Sequence, residues 1–165
     1  MKKFVLFFIP LLLGCAETKS ETIVDYPQYI ITAYTYLGYT EENNRSELRQ
    51  FMDLDPVRYE WCAAFVNAAL NVNGVPGSES VSNYPLTARS FLSWGKKVTD
   101  PKIGDIVVFP RGNQGWQGHV GFYVRSIQVD GATHYVILGG NQDNKVSYEL
   151  YPASKALSVR RQRNR

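Results

Sequence analysis

The hydrophobic pattern of the 165-residue chain changes once, near Gly95, and this change constrains the fold more than any other feature. Before it, apolar residues recur at helical spacing, most clearly in residues 61–71. After it, the chain has short segments rich in strand-forming residues, at 106–109, 120–129, 135–138 and 146–151. Helices followed by an antiparallel meander predict an α+β fold. The length suits one such domain.

Four helices are predicted, at residues 25–37, 46–52, 61–71 and 87–94. In the third, one stripe carries Cys62, Phe65, Val66, Ala69 and Leu70. Asp130-Gly131 is typical of a two-residue turn and predicts a hairpin between the second and third strand segments.

The first 25 residues have the pattern of an export signal and a tether. Lys2 and Lys3 precede an apolar run over residues 4–13 that is too short to span a membrane, which is typical of a signal peptide. The run ends in Leu12-Leu13-Gly14-Cys15, which resembles a bacterial lipobox. That resemblance implies cleavage before Cys15 and lipidation of its thiol; an ordinary signal peptide with an incidental cysteine is the alternative.

Four segments are therefore expected: a signal peptide (1–14), a tether (15–25), a folded domain (26–160) and a basic tail (161–165). The protein is expected to be exported and lipid-anchored at the cell envelope. By resemblance to lipoprotein sorting, Ala16 after the cysteine implies the periplasmic face of the outer membrane, if the host is Gram-negative.

The formal net charge of +3 comes from the two ends of the chain. Residues 15–159 hold 12 basic and 15 acidic side chains, a net charge of −3. The four arginines among the last six residues are interpreted mainly as a solvated end. Contact with phospholipid or an acidic wall polymer is the alternative, and no nucleic-acid partner is expected.

Cysteine and histidine counts direct attention to Cys62. The chain has two cysteines, so lipidation of Cys15 would leave Cys62 unpaired in an oxidising compartment, where a free thiol suggests reactivity. A place in the first turn of a helix favours a thiolate. The alternative is a small buried apolar side chain. The two histidines form no metal-site spacing with the cysteines, so no metal or cofactor is expected.

His119 and Asn141 complete a possible triad. His119 lies just before a strand, whereas His134, the rival base, lies beside the Asp130-Gly131 turn at the far end of the hairpin. Hairpin pairing returns Asn141 to the end where His119 lies, and its side-chain carbonyl would accept the imidazole N–H and fix the tautomer. The alternatives are a structural histidine and a turn asparagine after two glycines.

Four motifs in order resemble the NlpC/P60–CHAP superfamily of papain-like cell-wall hydrolases. They are Trp61-Cys62-Ala63-Ala64-Phe65-Val66-Asn67, Pro101 to Phe109 with its Gly104-Asp105, Gly118-His119-Val120-Gly121-Phe122-Tyr123, and Gly139-Gly140-Asn141-Gln142. A group of small bacterial and phage proteins shares the series. The resemblance covers residues 28–160 and implies a papain-like fold, with N-terminal helices packed on an antiparallel sheet.

The resemblance also implies an activity: cleavage of an amide bond in peptidoglycan through a thioester, with Cys62, His119 and Asn141 as catalytic residues. The bond would be the muramoyl–alanine amide or one within the wall peptide. Substrate contacts are expected from Tyr59, Trp61 and Trp116, with Tyr59 also a candidate oxyanion donor. Gly139 stands where many CHAP enzymes have glutamate, so no acidic fourth member is expected.

Three alternatives remain open from the sequence. They are a non-catalytic peptidoglycan-binding lipoprotein on the same fold, a partner-binding lipoprotein, and a cysteine acyltransferase or transamidase. The last would use the same nucleophile with an acceptor other than water.

Overall fold

The computed structural model describes residues 26–164. Three α-helices come first along the chain, and an antiparallel sheet of six strands follows. The helices are α1 (Gln28–Thr35), α2 (Arg45–Met52) and α3 (Cys62–Asn71). The strands are β1 (Lys96–Val98), β2 (Ile106–Pro110), β3 (Gly118–Val129), β4 (Ala132–Gln142), β5 (Lys145–Pro152) and β6 (Ser158–Arg161), arranged in the order β1-β6-β2-β3-β4-β5. The predicted α+β fold is confirmed. The predicted signal peptide, Cys15 and tether lie outside the described residues.

The predicted elements differ from the structure in two places. Residues 87–94 were expected to form an α-helix, but Ala88–Leu92 is a 3-10 helix. There the Ser90 hydroxyl donates to the Thr87 carbonyl at 2.7 Å and so competes with helical backbone bonding. Strands β1 and β6 were not predicted, because they are only three and four residues long and depend on pairing with each other and with β2.

The sheet is buried on both faces around the site. Helix α3 packs on one face, and all its residues from Cys62 to Leu70 are buried. This face contributes Ile106, Val108, Val120, Phe122, Leu138 and Val146 to the main core. The opposite face forms a second, smaller core with Val107, Phe109, Tyr123, Ile137 and Val159. Burial on both faces fixes the register of the central strands, and with it the positions of the site residues they carry.

Arg160 and Arg161 are the last two residues of strand β6 rather than part of a solvated tail. Arg161 donates from Nε and Nη2 to the fully buried carboxylate of Asp105, at 2.8 and 2.7 Å. Arg160 Nε donates to the Trp94 carbonyl at 2.7 Å. The predicted tail boundary before Arg161 is therefore wrong, because a buried carboxylate requires a paired cation and Arg161 supplies it.

Among residues 26–164, no helix has the length and apolar character needed to cross a bilayer.

Candidate active site

Cys62 is the first residue of α3, and a buried tryptophan fixes the position of that helix end. Trp61 is fully buried, donates from Nε1 to Glu41 Oε2 at 3.0 Å, and packs edge-on against Phe65. Gly140 of β4 permits this approach, since an added Cβ would lie 2.5 Å from the Trp61 ring. The expected role of Trp61 in substrate contact is therefore wrong: the side chain is core and anchors the nucleophile helix to the sheet.

The Cys62 thiol is buried and forms no disulfide with any described residue. Burial raises its pKa, while the charge of Arg111 and hydrogen bonds from the Val120 and Ala63 backbone N–H groups oppose the rise. Val120 directly follows His119, so the sulfur lies against the start of β3. The net upward shift of the pKa indicates a resting thiol, which needs a base to become nucleophilic.

His119 is buried on β3, and its hydrogen bond to Gln142 sets its tautomer. His119 Nε2 lies 3.0 Å from Gln142 Oε1. The orientation of the amide is fixed by Ser147, because Gln142 Nε2 donates to the Ser147 carbonyl at 2.7 Å and to its hydroxyl at 3.2 Å. The oxygen of Gln142 therefore faces the imidazole, and we assign the proton to Nε2.

The other ring nitrogen of His119 is left with its lone pair. Nδ1 is buried without a hydrogen-bond partner in the part of the chain that the structure describes. Burial first, and the Arg111 charge second, lower the pKa of His119 to about 3, against a raising effect of the Gln142 hydrogen bond. The imidazole is thus neutral at physiological pH, as a general base must be.

Aromatic rings hold the imidazole in place. Tyr151 of β5 stacks on His119 with ring centroids 5.3 Å apart and an interplanar angle of 18°. Phe109 also stacks on Tyr151, with ring centroids 4.5 Å apart. The stack and the Gln142 hydrogen bond together restrict both the position and the rotation of the His119 ring.

Asn141 does not occupy the orienting position expected for it. Its backbone is left-handed, with φ of 56°, and the register of β4 with β5 shifts between Gly139 and Gln142. The side chain instead donates from Nδ2 to Glu60 Oε2 at 2.6 Å. The irregularity turns Gln142 toward His119, so the predicted contact of Asn141 with the histidine is wrong.

Gly139 provides the space that Gln142 uses. A Cβ at this position would lie 3.0 Å from Gln142 Oε1 and 3.3 Å from His119 Nε2. Position 139, where many CHAP enzymes have a glutamate, therefore faces the histidine. The neutral side-chain amide of Gln142 fills this space instead.

Charged and aromatic residues surround this centre at the surface. Glu60 lies two residues before Cys62 with its side chain 83% exposed, and Arg111 Nη1 lies 3.8 Å from its carboxylate. Tyr59 and Trp116 are exposed, on the segments leading into α3 and β3. Substrate contact by these two aromatics stays a prediction.

His134 is excluded as the base by its position. It lies near the hairpin turn, opposite Ile127, where Nδ1 is 3.2 Å from the Ala132 carbonyl. The described part of the chain also holds no group of three or more His, Cys, Asp or Glu side chains placed to bind a metal ion.

Comparison with known families agrees with the site. The model of the CHAP domain matches residues 54–141, more than half of the chain. The match includes Cys62 and His119 and ends one residue before Gln142. No curated protein sequence matches the chain. The predicted relationship is confirmed: the chain belongs to the CHAP family, whose members are generally cysteine amidase-type hydrolases of peptidoglycan.

Proposed function

We propose that this protein is a cysteine hydrolase that cleaves an amide bond in peptidoglycan, with Cys62 as nucleophile and His119 as general base. The observation that carries the proposal is the state of His119: buried, neutral, held by Gln142 at Nε2, and free at Nδ1 to accept a proton. A histidine with a merely structural role would be expected to use both ring nitrogens when buried this deeply.

In the proposed reaction, His119 Nδ1 takes the thiol proton of Cys62 and the sulfur attacks the amide carbonyl carbon. The tetrahedral intermediate collapses with cleavage of the C–N bond, and the imidazolium returns the proton to the leaving amine. A thioester remains on Cys62. His119 then removes a proton from water, whose oxygen attacks the thioester carbon, and Cys62 leaves as the product carboxylate forms.

The start of α3 supports the negative charge that develops in these steps. Trp61, the N-cap residue, makes no side-chain capping hydrogen bond, and the Ala63 N–H of the first turn already bonds the Cys62 sulfur. The Cys62 backbone N–H is the proposed first oxyanion donor, and the Tyr59 hydroxyl is proposed as the second.

Gln142 is proposed as a positioning residue. Its carbonyl accepts from His119 Nε2–H in the neutral state and would strengthen that bond when the ring becomes charged. Asn141 would instead tie the Glu60 segment, which leads into the nucleophile helix, to the end of β4.

The location of the protein is also a proposal, and it depends on the first 16 residues alone. Lipidation at Cys15 would hold the domain at the envelope, on the periplasmic face of the outer membrane in a Gram-negative host, beside its substrate. Metabolic labelling with a lipid analogue, compared between wild type and Cys15→Ser, would test this.

Digestion of purified peptidoglycan sacculi tests the activity. The full chain in detergent would be incubated with sacculi beside Cys62→Ala and His119→Gln variants, and soluble fragments would be measured by mass spectrometry. We expect fragments from the wild type only, and their masses will distinguish the muramoyl–alanine amide from a peptide bond. Folded wild-type protein that releases nothing from several wall types would favour a binding module instead.

A further inference from the structure

A loosely held guanidinium lies beside the reacting groups. Arg111 directly follows β2, and its side chain is 39% exposed. It lies beside both segments that carry the reacting groups: Nη1 is 3.8 Å from the carboxylate of Glu60, two residues before Cys62, and the preceding Pro110 pairs with Gly118, next to His119. In agreement with this position, the charge of Arg111 lowers the pKa values of Cys62 and His119.

The contacts of Arg111 differ from those of the structural arginines in this chain. Its Nη2 lies 3.5 Å from the Asn141 carbonyl and its Nη1 lies 3.8 Å from Glu60 Oε2. By contrast, Arg161 holds Asp105 at 2.7 and 2.8 Å, and Arg45 holds Asp55 at 2.6 and 2.9 Å, each with two nitrogens. Charge-assisted N–H···O bonds are typically about 2.7–2.9 Å long. The contacts of Arg111 are longer than this, so Arg111 is not locked in a structural ion pair.

Glu60 does not neutralise Arg111 by a close pair. Its Oε2 accepts from Asn141 at 2.6 Å, while most of its side chain is exposed to solvent. The guanidinium therefore has no close carboxylate partner among the described residues, and its planar fork matches the geometry of a carboxylate.

We infer that Arg111 binds a carboxylate of the substrate close to the scissile amide, so the preferred substrates are anionic peptides with a free carboxyl group beside the bond that is cut. The inference rests on the proposed function. The stem peptides of peptidoglycan carry such carboxylates, and conversion of the nearby one to a carboxamide would remove the charge that Arg111 recognises.

The test compares two synthetic wall peptides that differ only in this group, carboxylate or carboxamide, beside the bond identified by sacculus digestion. The enzymes are wild type, Arg111→Gln, Arg111→Lys and, as a matched control, Arg125→Gln on the exposed far part of β3. We expect wild type and Arg125→Gln to prefer the carboxylate peptide in kcat/KM by about tenfold or more. Arg111→Gln should lose that preference by cutting the carboxylate peptide more slowly, and Arg111→Lys should retain part of it.

Two results overturn the inference while the proposed function stands. One is equal cleavage of both peptides by the wild type. The other is an equal loss on both peptides in Arg111→Gln, which would mean that the cation acts on Cys62 and His119 alone. If the wild type cuts neither peptide, the proposed function fails for these substrates. Binding to Cys62→Ala then decides the inference: tighter binding of the carboxylate peptide supports it, and equal binding overturns it.

Discussion

Replacement of Gln142 should impair the reaction without removing either reacting group. In Gln142→Leu, the His119 Nε2–H loses its acceptor at 3.0 Å and the Ser147 carbonyl loses its donor at 2.7 Å. A hydrogen bond to a charged group contributes about 1.5–3 kcal/mol, and the ring is charged in the transition state. We therefore expect kcat/KM to fall by about 10- to 100-fold.

Gln142→Glu should change the pH dependence rather than only the rate. A carboxylate beside Nε2 favours the imidazolium and raises the pKa of His119 from its low value of about 3. The acidic limb of the kcat/KM profile should therefore move to higher pH. The variant should also be less stable, since the carboxylate cannot donate to the Ser147 carbonyl.

The assay is kcat/KM against pH on a soluble wall peptide, with Asn141→Gly as the matched control. Glycine keeps the left-handed backbone of residue 141 and removes only the bond to Glu60, so activity should change by no more than a few fold. The assignment of the orienting role to Gln142 would be refuted if Asn141→Gly lost as much activity as Gln142→Leu, or if Gln142→Leu were fully active.

Three further predictions concern stability and packing. Because burial lowers the folded-state pKa of His119 from 6.5 to about 3, its contribution to stability is complete above pH 6.5 and is lost as the pH falls. Between pH 6.5 and pH 4, the free energy of unfolding measured in urea should fall by about 3 kcal/mol more in wild type than in His119→Gln. An equal fall in the two proteins would contradict this. Gly139→Ala should lower activity while the protein stays folded. Gly140→Ala, whose Cβ would lie 2.5 Å from Trp61, should lower the free energy of unfolding by about 1–3 kcal/mol. A larger drop in melting temperature for Gly139→Ala than for Gly140→Ala would contradict the packing. Arg161→Met should cost about 3–5 kcal/mol in chemical denaturation, because it removes the cation and two of the hydrogen bonds that stabilise the buried carboxylate of Asp105, and a loss below 1 kcal/mol would support a solvated tail.

Local patterns predicted most of the fold and two of the proposed active-site residues. The helical stripe placed Cys62 at the start of a helix, and the Asp130-Gly131 turn brought the end of β4 back to His119. Both rest on periodicity and turn chemistry, which act over a few residues. Trp61 was misassigned to the substrate cleft, although it stands four residues before Phe65 and so belongs to the same buried face.

Gln142 was missed because strand alternation fails at one residue. Regular alternation from Gly139 would put Asn141 on the face of His119, but the left-handed backbone of Asn141 shifts the next side chain onto that face. A signal was present: asparagine tolerates this conformation better than most residues. The pairing of Arg161 with Asp105, 56 positions apart, has no comparable local signal.

Trapping of the thioester tests the central claim most directly. Wild type and Cys62→Ala would be incubated with a soluble wall peptide and increasing hydroxylamine, and the released acyl product would be measured by mass spectrometry. Hydroxylamine attacks a thioester in place of water, so a thioester on Cys62 predicts a hydroxamate product that increases with hydroxylamine and is absent with Cys62→Ala. Free acid alone at every hydroxylamine concentration, or product formation by Cys62→Ala, would contradict nucleophilic catalysis by Cys62.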